Sequence, residues 1–188
     1  MGKLIVFNLV SLDGYFADAR ADMSWAHNAA EDPEWDAFVK GNARGGGTLV
    51  FGRITCELMS GYWPGPQAAR DDPVVAERMN ALPKLVFSRS LDKVSWSNAR
   101  LAKRSLAEEI GALKDADGGD LAIMGSGSLV AQATDEGLVD EYQIVIVPLV
   151  LGAGRTMFEG LARRARLRPA GTRSFKNGNV LLRYEPTA

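Results

Sequence analysis

The sequence is poor in the two residue types that most often bind metals or form covalent cross-links. Cys56 is its single cysteine and His27 its single histidine. One cysteine excludes an internal disulfide, and these two residues cannot supply the three or four ligands of a His/Cys zinc site. A Ser-His-Asp triad would have to use His27, which lies in a polar segment typical of a loop. We therefore expect no metal site, and Cys56 is predicted to be a small buried side chain rather than a nucleophile.

Long apolar runs and an excess of one charge are also missing. No apolar run reaches the ~18 residues of a membrane-spanning helix, and the apolar start of the chain lacks the small-residue cleavage site of a signal peptide. The net charge of -1 gives no general attraction to nucleic acid. These features predict a cytoplasmic protein without membrane or nucleic-acid partners. The four arginines within residues 161–168 keep nucleic-acid binding as a minor alternative to an arginine-bearing strand edge.

Strand-like and helix-like patterns alternate along most of the 188 residues. Buried strands are predicted from the apolar runs at residues 3–10, 48–51, 85–87 and 121–124. Residues 139–150 form the longest strand candidate, and residues 180–184 are its hairpin partner after Asn177-Gly178. The order predicts a single α/β domain over residues 1–188, with a mostly parallel sheet, an antiparallel edge and helices on both faces. Residues 11–22 and 61–73 are predicted to be loops.

A glycine-serine turn joins a predicted strand to a predicted helix at residues 125–128. Glycine lets an anion approach the backbone closely. The first N–H groups of a helix have no internal partner, and they lie at the positive end of the helix dipole. The turn is therefore a candidate phosphate site. Many such turns bind nothing, however, and this one matches neither the P-loop nor the complete dinucleotide-binding fingerprint.

Two other predicted strands also end in groups that can bind a ligand. Gly52 and Arg53 follow one of them, and Ser88 and Arg89 follow the other. Ligands of open α/β sheets bind at the carboxyl ends of the strands, and the planar fork of arginine can bond two phosphate oxygens. Each arginine alone could be an ordinary surface residue. The three strand ends together favour a ligand with several phosphates.

Five motifs occur in an order that resembles a known family. They are SLDGYFA (11–17), FGRITCE (51–57), VFSRSL (86–91), IMGSGSL (123–129) and VDEYQIVIVPLVLGAGRTMF (139–158). Together they resemble the dihydrofolate reductase-like superfamily, and within it the riboflavin-biosynthesis reductase branch (RibD C-terminal domain). The resemblance covers residues 3–185 and implies a three-layer α/β/α fold with a mixed sheet of about eight strands. Because the zinc deaminase of the bifunctional riboflavin enzyme is missing, a stand-alone domain is expected.

The resemblance also implies a cofactor, NADPH, that lies across the strand ends of a homodimer. The implied cofactor-binding residues are Gly14, Tyr15, Gly52, Arg53, Thr55, Ser88, Arg89, Gly125, Ser126, Gly127, Ser128 and Leu129. Ser88 and Arg89 are expected at the adenosine 2′-phosphate, and residues 125–129 at the pyrophosphate. The implied catalytic residues are Asp13, in a mobile loop over the nicotinamide, and an acid on the first helix, which is Glu34 or, as the alternative, Asp36. The implied substrate pocket is bordered by Trp25, Val147 and Pro148.

Two functions from different classes follow. The first is NADPH-dependent reduction of a small heterocyclic or ribosylaminopyrimidine-like substrate by hydride transfer, as in 5-amino-6-(5-phosphoribosylamino)uracil reductases. There the protein orients the cofactor, excludes water and supplies a proton. The alternative is a sensor module that binds NADPH without efficient turnover, because the sequence offers no firm proton donor. Glu34 is equally well explained as a first-turn acid of a helix that Asp32 caps and Pro33 opens.

Overall fold

The computed structural model describes residues 1–26, 31–116 and 118–187. In this part of the chain the strands are β1 (Leu4–Ser11), β2 (Tyr15–Asp18), β3 (Thr48–Gly52), β4 (Lys84–Phe87), β5 (Ala99–Leu101), β6 (Leu121–Met124), β7 (Glu141–Val147), β8 (Gly154–Thr156), β9 (Leu167–Ser174) and β10 (Val180–Pro186). The α-helices are α1 (Pro33–Arg44), α2 (Arg53–Tyr62), α3 (Pro66–Asp71), α4 (Pro73–Ala81), α5 (Leu106–Asp115) and α6 (Gly127–Asp135). A short 3-10 turn covers Ser24–Ala26.

Eight of the described strands form one mixed sheet in the order β5-β4-β3-β6-β1-β7-β10-β9. The apolar strand β1 lies between β6 and β7 and is parallel to both. On the far side of β6, the strands β3, β4 and β5 continue the parallel part. On the other side, β10 and β9 form an antiparallel edge. The mostly parallel α/β sheet with an antiparallel edge is thus confirmed.

Helices cover both faces of the sheet. Because successive residues of a strand point to opposite sides, one strand packs against helices on both faces. On β3, Val50 packs with residues of α5 and α6, whereas Leu49 and Phe51 pack with residues of α2 and α4. Cys56 belongs to the same core as Leu49 and Phe51, and 2% of its surface is exposed. The prediction that Cys56 is a small buried side chain is thus confirmed, and burial raises the pKa of its thiol.

The first helix begins where its capping residues predict. Asp32 accepts hydrogen bonds from the backbone N–H groups of Glu34 (2.9 Å) and Trp35 (3.3 Å), and Pro33 is the first helical residue. The other carboxylate oxygen of Asp32 accepts from the N–H of Asn177 (3.0 Å), in the β9–β10 turn. One buried side chain therefore caps α1 and attaches it to the antiparallel edge of the sheet.

Two segments predicted to be loops contain regular structure instead. Residues 11–22 include β2, which pairs with β8 in a separate two-stranded sheet. Residues 61–73 include α3, which begins at a proline after Gly65. Both predictions were wrong because these elements are only four and six residues long and consist partly of turn-forming residues.

The longest predicted strand is also shorter than its pattern indicates. β7 has seven residues, fewer than the eight of β1 and of β9. It ends at Val147 because Pro148 has no N–H group for the ladder of hydrogen bonds. No helix in the described ranges is long and apolar enough to cross a membrane.

Candidate functional site

A cleft of about 870 Å³ lies along the carboxyl edge of the parallel strands. The segments that follow β3, β4, β5 and β6 all line it, because parallel strands end at the same edge of a sheet. Phe16 and Ala17 of β2 and Arg155 and Thr156 of β8 line it as well. The strand ends predicted to bind one ligand therefore do meet in one cavity.

Four arginines give this cleft a strong positive charge: Arg53, Arg89, Arg104 and Arg155. Glu159 is the single carboxylate among the described residues that line it. Arg53 forms an ion pair with Glu57 (2.9 Å), whereas Arg89 and Arg155 form no ion pair with any described residue. The cleft can therefore accept a ligand with several negative charges.

The glycine-serine turn is held by a hydrogen-bond network at the floor of the cleft. Ser126 adopts a left-handed backbone conformation (φ +58°). Its hydroxyl accepts from the N–H of Gly52 (2.7 Å) and donates to Oγ1 of Thr55 (2.9 Å). The N–H of Gly125 donates to Oδ1 of Asn8 on β1 (2.5 Å). This network fixes the middle of β1 and the ends of β3 and β6 relative to one another.

Packing within the protein requires two glycines of the turn. A Cβ atom on Gly127 would lie 2.6 Å from the backbone oxygen of Thr156. A Cβ on Gly125, whose φ is +62°, would lie 2.7 Å from the side chain of Thr55. Packing alone thus explains these two glycines, and a bound anion is not needed to account for them. The part of the strand-turn-helix segment that remains available to a ligand is the start of α6.

The first turn of α6 opens into the cleft without a side-chain cap. The Ser126 side chain is engaged in the floor network and does not cap the helix. Gly127, Ser128 and Leu129 line the cavity, and Ser128 is exposed. Uncapped N–H groups at the positive end of a helix form a ready anion site.

Ser88 and Arg89 follow β4 at the same edge. The Ser88 hydroxyl oxygen accepts from the N–H groups of Ser90 (3.1 Å) and Leu91 (3.0 Å), so it shapes this connection. Arg89 is exposed and lines the cleft. The structure therefore brings Gly52, Arg53, Thr55, Ser88, Arg89 and residues 126–129 into one cavity, while Gly125 lies buried beneath them.

Asp13 lies outside the cleft and holds two loops together. It accepts from the hydroxyl of Ser11 (2.6 Å) and from the N–H groups of Leu151 (3.1 Å) and Gly152 (2.7 Å). These donors lower the pKa of its carboxyl group, the Ser11 hydroxyl most strongly. An ionised group is a poor proton donor. Its neighbours Gly14 and Tyr15 do not line the cleft either, although Phe16 and Ala17 do.

Glu34 and the predicted substrate-pocket residues also lie apart from the cleft. Glu34 is exposed at the start of α1 and pairs with Arg173 (3.2 Å). The indole N–H of Trp25 donates to the backbone oxygen of Asp22 (3.0 Å). Val147 is 4% exposed at the end of β7, and Pro148 lies beside Gly178. Their catalytic and substrate-binding roles remain predictions.

Sequence reasoning missed two of the four cleft arginines. Arg104 comes shortly after β5, so the rule that found Arg53 and Arg89 would have found it too. Arg155 lies on the three-residue strand β8, which sequence patterns do not reveal. The lone histidine, His27, lies outside the described residues. Within the described residues, no group of three or more His, Cys, Asp or Glu side chains could hold a metal ion.

Residues 2–181 match the family model of the RibD C-terminal domain. The chain belongs to this family. Two curated relatives come from Bacillus subtilis (strain 168). The uncharacterized protein YyaP is 28% identical, over 97% of this chain and 94% of its own length. The uncharacterized protein YwjB is 25% identical, over 92% of each chain.

Solved structures share the fold of this RibD C-terminal domain. A putative riboflavin biosynthesis protein from Shewanella sp. PV-4 has a TM-score of 0.76 and 24% identity, over 99% of both chains. A pyrimidine reductase-like protein from Corynebacterium diphtheriae has a TM-score of 0.66 and 14% identity, over 100% of this chain and 92% of its own. A diaminohydroxyphosphoribosylaminopyrimidine deaminase/5-amino-6-(5-phosphoribosylamino)uracil reductase from Thermotoga maritima has a TM-score of 0.65 and 13% identity; the match covers 99% of this chain and 57% of that one.

Proposed function

We propose that this protein is an NADPH-dependent reductase of a small heterocyclic or ribosylaminopyrimidine-like compound. The observation that carries the proposal is the cleft, where four arginines and the uncapped first turn of α6 line one cavity at the strand ends. Membership of the RibD C-terminal domain family supports the same conclusion, because the motifs of the chain resemble those of the riboflavin-biosynthesis reductase. A pyrimidine reductase-like protein and a deaminase/5-amino-6-(5-phosphoribosylamino)uracil reductase share the fold.

The donors in the cleft fit the anionic groups of NADPH. Its pyrophosphate would lie at the first turn of α6, where Gly127 and Ser128 present backbone N–H groups. Its 2′-phosphate would lie beside Arg89, at the end of β4. Bound there, the nicotinamide would supply a hydride.

The protein itself would orient the reactants and exclude water. The network of Asn8, Gly52, Thr55 and Ser126 fixes the cleft floor, so little rearrangement is needed on binding. The apolar side chains of Phe16 and Met23 line the cavity and would keep water from the reacting atoms. Glu159 is the single carboxylate among the described residues that line the cleft, and neither Asp13 nor Glu34 lines it.

The alternative is a sensor that binds NADPH without efficient turnover, and the absence of a well-placed acid among the described cleft residues favours it. One experiment separates the two functions. NADPH and NADH are titrated separately against tryptophan fluorescence, and NADPH oxidation is then followed with pterin and ribosylaminopyrimidine substrates. We expect micromolar NADPH binding that is clearly tighter than NADH binding, together with substrate-dependent oxidation.

Binding without oxidation of NADPH by any compound in these two classes would favour the sensor. If neither nucleotide binds to the folded protein, both functions are wrong and the cleft arginines have another purpose.

A further inference from the structure

A second cavity, of about 460 Å³, lies between α1 and the antiparallel edge of the sheet. Strands β7, β10 and β9 form one side of it, and Phe38 and Asn42 of α1 form the other. We call this cavity, between Phe38 on the helix and Arg173 and Arg183 on the strands, the edge pocket. Its volume is within the range of small-molecule sites. It shares no described lining residue with the cleft, so a ligand here would bind apart from the candidate functional site.

The pairing of the three strands creates the open space. Gln143 on β7, Arg183 on β10 and Gly171 on β9 occupy one row across the sheet. Residues paired in this way point to the same face. Gly171 has no side chain, and a Cβ atom there would meet only Cδ of Arg183, at 3.9 Å. The glycine therefore leaves the end of the row open beside a guanidinium group.

A buried carboxylate holds Arg183 in place. Glu141 is 2% exposed and accepts from Nε of Arg183 (2.7 Å) and from the side-chain amide of Gln143 (2.9 Å). Burial raises the pKa of Glu141, but these two hydrogen bonds and the charge of Arg183 outweigh it, so the net shift is downward. Only Nε of Arg183 is engaged in the described part of the chain. Its two Nη groups are therefore available to a ligand.

Arg173 is held in place on the neighbouring strand. Its guanidinium carbon lies 4.7 Å from the centre of the Phe175 ring, and its Nη2 lies 3.2 Å from the carboxylate of Glu34. The ring contact is a cation–π interaction. Glu34 and Glu141 do not line the edge pocket, whereas Arg173 and Arg183 both do. A ligand would meet the two cations and not their acidic partners.

The rest of the edge pocket includes a flat apolar surface. Phe38 and Leu181 line it, and the Phe38 ring is fixed by contacts with Phe175 (5.4 Å between ring centres) and Trp35 (5.6 Å). Each arginine already pairs with one glutamate, so the pocket has little excess positive charge. It therefore suits a ligand with one negative charge and an apolar ring better than a phosphate with two charges.

We propose that the edge pocket binds a small aromatic carboxylate. The carboxylate group pairs with Arg173 and Arg183, because the planar guanidinium fork matches its two oxygens. The aromatic ring packs on Phe38 and Leu181. This inference goes beyond the proposed reductase function and does not depend on it, because the cleft contributes no residue to the edge pocket.

The test uses 2-naphthoate as the probe and the full chain labelled with nitrogen-15. The probe is titrated while the backbone amide signals are followed by NMR, and 2-naphthamide is titrated as its uncharged counterpart. We expect saturable shifts centred on the amides of Gly171 and Thr172, with half-saturation at about 1 mM or below, the strength that ligand efficiency gives for a molecule of this size. The amide should bind about tenfold or more weakly, because it forms no charged hydrogen bond.

Gly171→Leu fills the edge pocket without removing a charge. Gly171 does not have the left-handed conformation that strains other residues, and its Cβ has room, so the variant should fold. We expect it to show no binding at a concentration that saturates wild type. Gly111→Leu is the matched control, because Gly111 lies on α5, also has open space for a Cβ and does not line the edge pocket. It should bind 2-naphthoate as wild type does.

Arg173→Met tests the charge at an exposed position. Its side chain is 47% exposed, so we expect the variant to fold and to bind 2-naphthoate about fivefold or more weakly. Arg183 is less suitable for this test, because its removal would leave the buried carboxylate of Glu141 without its cation. Circular dichroism of each variant checks that it is folded.

Three results would contradict the inference. Shifts centred on residues 126–129 would mean that the probe binds to the arginines of the cleft instead. Equal binding of 2-naphthoate and 2-naphthamide would mean that the edge pocket does not select an anion. Absence of binding to folded wild type would mean that it takes no aromatic carboxylate of this size. None of these results bears on NADPH binding, so the reductase proposal is tested separately.

Discussion

The hydroxyl of Ser126 occupies the point where three parts of the cleft meet. It accepts from the backbone of Gly52 at the end of β3, donates to Thr55 on α2, and belongs to the residue that begins α6. Replacing it with alanine would leave the N–H of Gly52 without its partner in a tightly packed place. The serine therefore determines the shape of the site, and a ligand would meet the backbone beyond it.

Glu109 should make the stability of the protein depend on acid pH. The guanidinium of Arg100 and the N–H groups of Lys103 and Arg104 lower the pKa of its carboxyl group to about 2, from 4.5 when exposed. The folded state thus favours the charged form. The stability that this preference contributes is complete above pH 4.5 and is lost as the pH falls towards 2.

Urea unfolding of wild type and Glu109→Gln at several pH values between 6 and 2.5 would measure this effect. We expect the difference in free energy of unfolding between the two proteins to shrink steadily below pH 4.5. A constant difference across this range would show that the carboxyl group ionises alike in the folded and unfolded states.

At the scale of elements, the first turn of α6 can be tested as an anion site by adding a negative charge to it. Ser128→Glu places a carboxylate at this turn, on an exposed residue that lines the cleft. We expect NADPH and NADH to bind about tenfold more weakly, because like charges would lie close together. The helix itself should not be destabilised, since an acid near its N-terminus interacts favourably with the dipole.

Ser128→Gln is the control for size and should bind both nucleotides nearly as wild type does. Gly127 is a poor position for this test, because a Cβ atom there would contact Thr156 before any ligand. Unchanged affinity in a folded Ser128→Glu protein would exclude the α6 terminus as the pyrophosphate site.

The β6–α6 unit could be predicted from sequence because its apolar run, turn and helix are consecutive. The hydrogen bonds of the Ser126 hydroxyl could not be predicted, since their partners, Gly52 and Thr55, lie 74 and 71 positions away in the sequence. Likewise β2 depends on a partner elsewhere in the chain. The pairing of β2 with β8 joins segments near opposite ends of the sequence, and no local pattern encodes it.

At the scale of the molecule, the sheet explains why isolated signals in the sequence proved to belong together. Arg53, Arg89 and the turn at residues 125–128 follow strands that are parallel, so they lie at one edge. The predicted catalytic residues do not lie at these strand ends. Asp13 and Glu34 were assigned from motif resemblance, and their observed hydrogen bonds and ion pairs concern loop and helix contacts.

We propose that two copies associate, with an exposed aliphatic patch as the contact. Leu12 is 68% exposed, Val150 63% and Leu149 37%, and the N–H of Leu12 donates to the oxygen of Leu149 (2.8 Å). Light scattering during gel filtration should give twice the 20.3 kDa of one chain. Leu12→Ser/Val150→Ser should shift the protein to monomers, because apolar area is lost from the interface.

Leu167→Ser, at an exposed leucine on β9, is the control and should not change the mass. A wild-type protein that stays monomeric at high concentration would contradict the proposed association.

The antiparallel direction of β10 has a practical consequence. Because β1 starts and β10 finishes at the edge of the sheet opposite the cleft, both described ends of the chain emerge on the side away from the candidate site. A tag, a tethering linker or another fused domain attached through either end would leave the cleft open. The protein could therefore be anchored to a sensor chip by its first or last residue and still be accessible to nucleotides in solution.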